Sequence, residues 1–300
     1  MSRRRRGGHA AAVPRSLAGD AWRDLRRSPL FLLSAAIIVV LVAMAAVPGL
    51  FTGADPRACD LAFSRLPPSG DAWFGYDLQG CDMYARTVYG ARASILVGVL
   101  TTVVIAVVGS VVGMLAGYHG GVVDALLSRF TDMFFAVPML LGAIIVLAMF
   151  PSTVETPAWQ TIGKVVLALG VLGWTTVARI MRSTVIQVKQ ADYVHAARGL
   201  GAGSRRVLLR HVLPNAVAPV LVYSTIILGV FVVLEATLSF LGIGLQSPVI
   251  SWGIAISDAR AYIRQSPHML FFPGAFLSVT VLAFIMLGDA VRDAFDPRLR

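Results

Sequence analysis

Charge is absent from long stretches of this chain, and that spacing limits the folds open to it. Leu30 to Phe51, Ala93 to Gly117, Met133 to Val154 and Val212 to Leu234 contain no Asp, Glu, Lys or Arg, and neither does Gln265 to Gly288. A bilayer core takes about 20 apolar residues per helix, so the first four runs read as membrane spans. In the last run the helix is expected to begin near Met269, after the polar Gln-Ser-Pro-His opening. Val165 to Ala178 is shorter and by length alone reads equally as a buried or re-entrant segment, but Lys164 and Arg179 at its ends have stems long enough to reach the interfaces, which extends it from about Trp159 to Met181. With 57% hydrophobic and 14% charged residues, the chain has too little charge to cover a water-soluble globule. The expectation is an all-α polytopic membrane protein with six transmembrane helices.

The net charge of +10 is distributed in short blocks between apolar runs, which points to membrane orientation rather than to nucleic acid. Arg3, Arg4, Arg5, Arg6, Arg15, Arg23, Arg26 and Arg27 precede the first run. Arg179, Arg182, Lys189, Arg198, Arg205, Arg206 and Arg210 lie between the fourth and fifth, and Arg292, Arg298 and Arg300 follow the last. Both termini are therefore expected in the cytoplasm. The divisions expected are a basic tail with an amphipathic interfacial helix over 1–29, a first span over 30–51, an extracytoplasmic loop over 52–92, a five-helix core over 93–293 interrupted by a cytoplasmic loop over 183–214, and a tail over 294–300. In the first of these, Ala18, Ala21, Trp22 and Leu25 share one helical face, a surface-lying pattern; a solvated basic tail is the other reading. The first apolar run is longer than the core of a typical secretion signal, and no convincing small-x-small cleavage site follows it.

Cys59 and Cys81 both fall in the 52–92 loop, on the oxidising side of this topology. They are expected either as a disulfide or as two separate thiols. Five histidines and two cysteines show no metal-ligand spacing, and Gly163-Lys164-Val165 does not complete a P-loop. No catalytic, cofactor or metal site is expected on this chain. Glu235 is the one acid well inside an apolar run. It reads either as a pathway residue or as a clamp between helices. Asp132 and Asp289, at predicted span ends, read as polar caps or arginine partners.

The most informative stretch is Asp192-Tyr193-Val194-His195-Ala196-Ala197-Arg198-Gly199-Leu200-Gly201, continuing to Arg210-His211-Val212-Leu213-Pro214-Asn215. Ala196-Ala197 gives a small-surfaced helix face, Gly201 a helix stop, and Pro214 a break before the fifth span. Ala196, Ala197, Gly201, Leu213 and Pro214 resemble, at the same spacing, the cytoplasmic "EAA" loop of ABC importer permeases; His195 and His211 stand where that pattern has Glu and Ile. Phe74-Gly75-Tyr76-Asp77 with Gly80-Cys81-Asp82 is similar to a segment of the dipeptide and oligopeptide permeases, with Tyr76 and Cys81 replacing Thr and Arg. Gly117-Tyr118-x-Gly120-Gly121-x-x-Asp124, Asp132-x-x-x-Ala136-x-Pro138, Glu235-Ala236-x-Leu238-Ser239 and Leu287-Gly288-Asp289 resemble the second, C-type permease of these systems.

The resemblance implies a type I importer permease (MetI-like) architecture and import of dipeptides or oligopeptides. It implies a second permease as partner, two ATPase subunits or one fused ATPase that bind ATP and Mg, and an extracytoplasmic substrate-binding protein. Asp192, His195, Ala196, Ala197, Gly201, Leu213 and Pro214 would then couple the chain to the ATPase. The flanking arginines would either meet that partner or mark orientation and contact lipid. Relatives of this class carry nickel or other small solutes. An ion-gradient-driven secondary transporter is a more distant alternative, whose inverted repeats and buried ionisable cluster are not seen here.

Overall fold

In a computed structural model of the chain, residues 22–295 are described. The expected features at 1–21 and 296–300 lie outside them. Of the amphipathic segment, residues 22–25 are helical, and Leu25 is buried against Ala290 and Ala294.

Helix α1 (Pro29–Ala46) starts behind Ser28, whose Oγ accepts the Phe31 N–H, and has proline in its first turn, where a missing N–H costs nothing. Helix α2 (Met83–His119) is capped by Asp82, which accepts from Tyr84 and Ala85. It begins ten residues before the expected second span, so the intervening loop is 47–82 rather than 52–92. Arg86 and Arg92, which suggested loop, are helical because each guanidinium has a partner outside the apolar zone. Arg86 pairs with Asp77. Arg92 donates to the last carbonyls of α1, Ala45 at 2.8 Å and Ala46 at 3.0 Å.

The third expected span is not one helix. Helix α3 (Gly121–Phe135) and helix α4 (Met139–Met149) meet at an 82° bend. Pro138 supplies no N–H and holds Val137 out of the α conformation, so the helix stops there although no charge interrupts the run. Helix α5 (Ala158–Val188) is continuous, and its apolar window is the most enclosed of the candidate spans, 67% buried. Its charges are therefore held by protein groups rather than by snorkelling alone. Lys164 donates to the Pro151 carbonyl at 2.9 Å, Arg179 pairs with Asp132 at 2.8 Å, and Arg182 pairs with Asp124.

Four short elements follow: α6 (Asp192–Gly199), α7 (Ser204–Val207), a π turn (Leu208–Val212) and α8 (Leu213–Ala216). The long helix α9 (Ala218–Phe240) starts six residues after the expected Val212. The short α10 (Trp252–Ala259) and the last span α11 (His268–Phe295) complete the chain. Among the described residues, five helices are long and apolar enough to cross a membrane, or six if the bent pair counts as one span. Among the described residues no strand is present, only two isolated bridges.

The bundle has two distinct ends. At one, the 47–82 loop folds over the starts of α2 and α11: Phe74 stacks on Phe272, and His268 Nε2 meets the Tyr76 carbonyl at 3.2 Å. Cys59 and Cys81 are bonded there, closing a loop of 22 residues, which in a chain-entropy account stabilises it by about 3 kcal/mol. At the opposite end lie α6, the turn between α2 and α3, and both ends of the described chain. Even passage through the bundle puts residues 22 and 295 on the α6 side.

Candidate functional site

The α6 end is organised around the turn that joins α2 to α3. Gly120 and Gly121 adopt positive φ (71° and 54°), which lets the chain reverse and start α3 immediately. Three contacts from distant segments converge on this turn. Lys189, just past α5, donates to the carbonyls of Gly117 and Tyr118 at 2.9 and 3.1 Å. Tyr118 donates its hydroxyl to the Ser204 carbonyl at 3.1 Å. Arg182 makes a two-pronged bond to Asp124, at 2.5 and 2.6 Å, the strong geometry for a guanidinium and a carboxylate.

Between these polar ties, α2 and α5 approach with little between their backbones. A Cβ at Gly109 would lie 2.6 Å from the Trp174 carbonyl oxygen, one at Gly113 2.2 Å from that of Ala178, and one at Gly117 2.8 Å from that of Arg182. Glycine every fourth residue thus provides a groove for α5, the small-residue mode of helix association in membranes. α5 carries α6 at its end, so α6 is joined to α2 through this contact.

Helix α6 is attached by one face only. Val194 is fully buried in the main core with Val207, Val212 and Ala216. Asp192, Tyr193, His195, Ala196, Arg198, Gly199 and Leu200 are all exposed, and Ala197 is half-buried. Leu200 is 90% exposed and Tyr193 45%. Gly201 terminates the helix in a left-handed conformation, φ 83°. Its N–H donates to the Arg198 carbonyl at 2.9 Å, and Ala202 N–H donates to the Ala197 carbonyl at 3.0 Å, the paired closing bonds of a glycine-terminated helix. A Gly201→Ala change meets no neighbour, so its cost is conformational, roughly 1–2 kcal/mol. Amide exchange at Gly201 and Ala202 should accelerate by about five- to thirtyfold on that figure, with the bundle amides unchanged.

Leu213 and Pro214 stand between α6 and α9. Pro214 sits in the first turn of α8, and the break it was expected to mark before the fifth span falls three residues further on. The preceding π turn widens the backbone, with Leu213 N–H reaching the Leu208 carbonyl, and this wider turn accommodates a proline that has no N–H of its own. Asn215 returns Nδ2 to the His211 carbonyl at 2.7 Å. The real interruption is at Val217, before the first-turn proline of α9. Leu213 is half-buried against the core that holds Val194, whereas Pro214 is exposed.

Glu235 lies far from this group, near the disulfide end of α9. It is 0% exposed and accepts from the Ser239 hydroxyl at 2.8 Å. That hydroxyl accepts the Leu245 N–H at 3.0 Å. Nearby, Ser94 of α2 accepts the Trp252 N–H at 3.3 Å, and the Trp252 indole donates to the Thr87 carbonyl at 2.8 Å. The carboxylate is enclosed among α2, α9 and α10; its one hydrogen bond among the described residues is to Ser239 on the same helix, and its second oxygen is buried without a hydrogen-bond partner.

Asp124, Arg182, Lys189 and the glycines of α2 tie this end of the bundle together, contacts that sequence reading did not assign. The four-residue glycine period was visible in the sequence. The arginine and lysine partners were not, because their contacts join residues 58 and 72 positions apart. Among the described residues, no His, Cys, Asp and Glu group could hold a metal ion.

Comparison with known proteins places this geometry. Residues 109–300 match the family described as "Binding-protein-dependent transport system inner membrane component", and residues 16–68 match "N-terminal TM domain of oligopeptide transport permease C". The oligopeptide transport system permease protein OppC of Bacillus subtilis (strain 168) is 37% identical over 95% of this chain and 91% of its own length. A probable peptide ABC transporter permease protein of Sinorhizobium fredii is 40% identical over 96% of both. The glutathione transport system permease protein GsiD of Escherichia coli O6:K15:H31 is 35% identical over 94% of this chain and 90% of its own. A solved structure of the MetNI methionine ABC transporter, inward facing, shares the fold with TM-score 0.56 at 19% identity, covering 71% of this chain and 97% of that one.

Proposed function

This chain belongs to the family of binding-protein-dependent transport system inner membrane components, and from that premise we propose that it is one of two permease subunits of an ATP-driven importer of dipeptides or oligopeptides. The partners in this reading are a second, related permease, cytoplasmic ATPase subunits that bind ATP and Mg, and an extracytoplasmic binding protein. The observation that carries it is α6, held by its buried Val194 face in the core beside α5 and the approach to α9, while its outer face is exposed among the described residues. Asp192, His195, Ala196, Ala197 and Leu200 form the docking surface for the ATPase. Gly201, Leu213 and Pro214 hold that surface in shape.

Both described chain ends lie at the α6 end, and the arginine blocks assign that end to the cytoplasm. The disulfide-tied loop then faces the oxidising side. Closure of the ATPases displaces α6. α5 moves with it and carries α2 through the glycine groove, while the α7 to α8 segment transmits the same displacement to α9. The pathway between these helices and the second permease opens alternately to the two sides. Glu235 anchors the outer ends of α2, α9 and α10 during this motion.

Peptide as cargo is supported by the descriptions of the relatives; nickel or another small solute is the alternative within the same class. Reconstitution of the whole complex in proteoliposomes tests the reading. Uptake of a labelled dipeptide should need ATP and the binding protein, and should be insensitive to collapse of proton and sodium gradients. Uptake driven by a gradient without ATP would instead make this an ion-coupled carrier.

A further inference from the structure

The bend between α3 and α4 cannot sit in lipid. Val137 lies level with Leu172 of α5, both reaching the same Gly142 Cβ position, and Phe134 packs on Trp174. Leu172 and Trp174 lie about 10 Å or more along the helix from Met181, the expected inner end of that span, so Ala136, Val137 and Pro138 fall at membrane depth. All three are exposed on this chain, and no side chain caps the start of α4. Irregular backbone at that depth is tolerated only inside protein or beside water.

The bend also has charge beside it. Asp132 and Arg179 pair at 2.8 Å with their side chains 53% and 44% exposed, and the Arg179 guanidinium lies 3.8 Å over the Phe135 ring. The pair borders a cavity of 380 Å³ between α2, α3 and α5, with Ser128, Thr131, Asp132, Arg179 and Arg182 on its polar side and Val112 and Leu127 among the apolar residues opposite. The grooves elsewhere on the spans differ. One between α1 and α11 is lined by Ile37, Leu41, Met44 and Phe276, and one between α4 and α5 mainly by Val146, Leu147, Phe150 and Leu167, with Lys164 at its margin. Those fit acyl chains; the Asp132–Arg179 cavity fits water and ions.

Resting on the permease reading, we infer that the α3–α4 bend lines the water-filled path of the importer, and that Asp132 and Arg179 form a charged step met by a zwitterionic cargo. The cargo ammonium competes for the Asp132 carboxylate, and its carboxylate competes for the Arg179 guanidinium. Exchange of the internal pair for cargo contacts keeps both charges partnered as the cargo passes.

The test uses the full complex in proteoliposomes, with the native cysteines bonded to each other, and a water-soluble cationic methanethiosulfonate as probe. Thiols react as thiolates, which form only in water, so Val137→Cys should label about tenfold or more faster than Val39→Cys, although Val39 is 67% exposed and Val137 only 40%. Equal, slow labelling would overturn the assignment, because lipid or the second permease would then cover the bend. For the charged step, Arg179→Gln and Asp132→Asn should each cut uptake of a free dipeptide roughly tenfold more than uptake of the same dipeptide blocked at both ends. Equal losses for the two cargoes would make the pair structural. If the unaltered complex carries no peptide, the peptide reading fails, while the labelling rates still decide whether the bend is wet.

Discussion

Replacing Gly113 by leucine should leave almost no assembled permease in the membrane and no measurable ATP-driven uptake. The new Cβ would stand 2.2 Å from the Ala178 carbonyl oxygen and 2.9 Å from the Met181 Cβ. Overpacked side chains typically cost about 1–3 kcal/mol because they can shift. Here the obstacle is helix backbone, so α2 and α5 must separate along the whole groove. Separation also withdraws Gly109 and Gly117 from contact and strains the Lys189 and Arg182 ties beside them. Gly274→Leu is the matched control: it lies on another long helix with open space around its Cβ position, and should change stability by no more than about 0.5 kcal/mol. Thermal unfolding of the purified proteins and uptake in proteoliposomes read both variants.

The second large effect is functional rather than structural. Leu200 is 90% exposed, so Leu200→Asp removes no contact inside the chain and should express and fold normally. If Leu200 is an apolar anchor for the ATPase, its loss costs about 2 kcal/mol or more of docking energy, roughly thirtyfold in affinity. ATP-driven uptake should fall by a similar factor while the amount of the chain in the membrane is unchanged. Val194→Asp provides the contrast. Val194 is fully enclosed, and an unpaired carboxylate there should lower protein yield together with transport.

Much of this fold was readable from charge spacing, because a run without charge is what a bilayer core requires. That same signal hid the bend at Pro138. The run from Met133 to Val154 is free of charge on both sides of the break, and the cue was the Val-Pro step inside it. Arg86 and Arg92 misled in the other direction. They looked like loop, but a helix that extends beyond the apolar zone keeps charged residues where Asp77 and the Ala45 and Ala46 carbonyls can meet them.

The site divided along similar lines. α6 and its Gly201 stop were legible because helix termination is local chemistry, fixed by residues within one turn. The setting of Glu235 was half legible. Ser239, four residues on, lies on the same helical face, but the Ser94 and Trp252 contact around it joins residues 158 positions apart. Nothing in a single sequence announces such a pair.

The account stands on α6 being the place where a nucleotide-driven partner grips this chain. A cysteine at Ala196, exposed on α6, paired with cysteines placed along the cleft of the co-purified ATPase, measures that contact in the intact complex. The account predicts a cross-link whose yield changes between nucleotide-free and ATP-bound complexes, and which stops uptake once formed. A complex that carries cargo at full rate while Ala196→Cys remains unlinked to any ATPase position, or reacts with impermeant reagents from outside the cell, would contradict it.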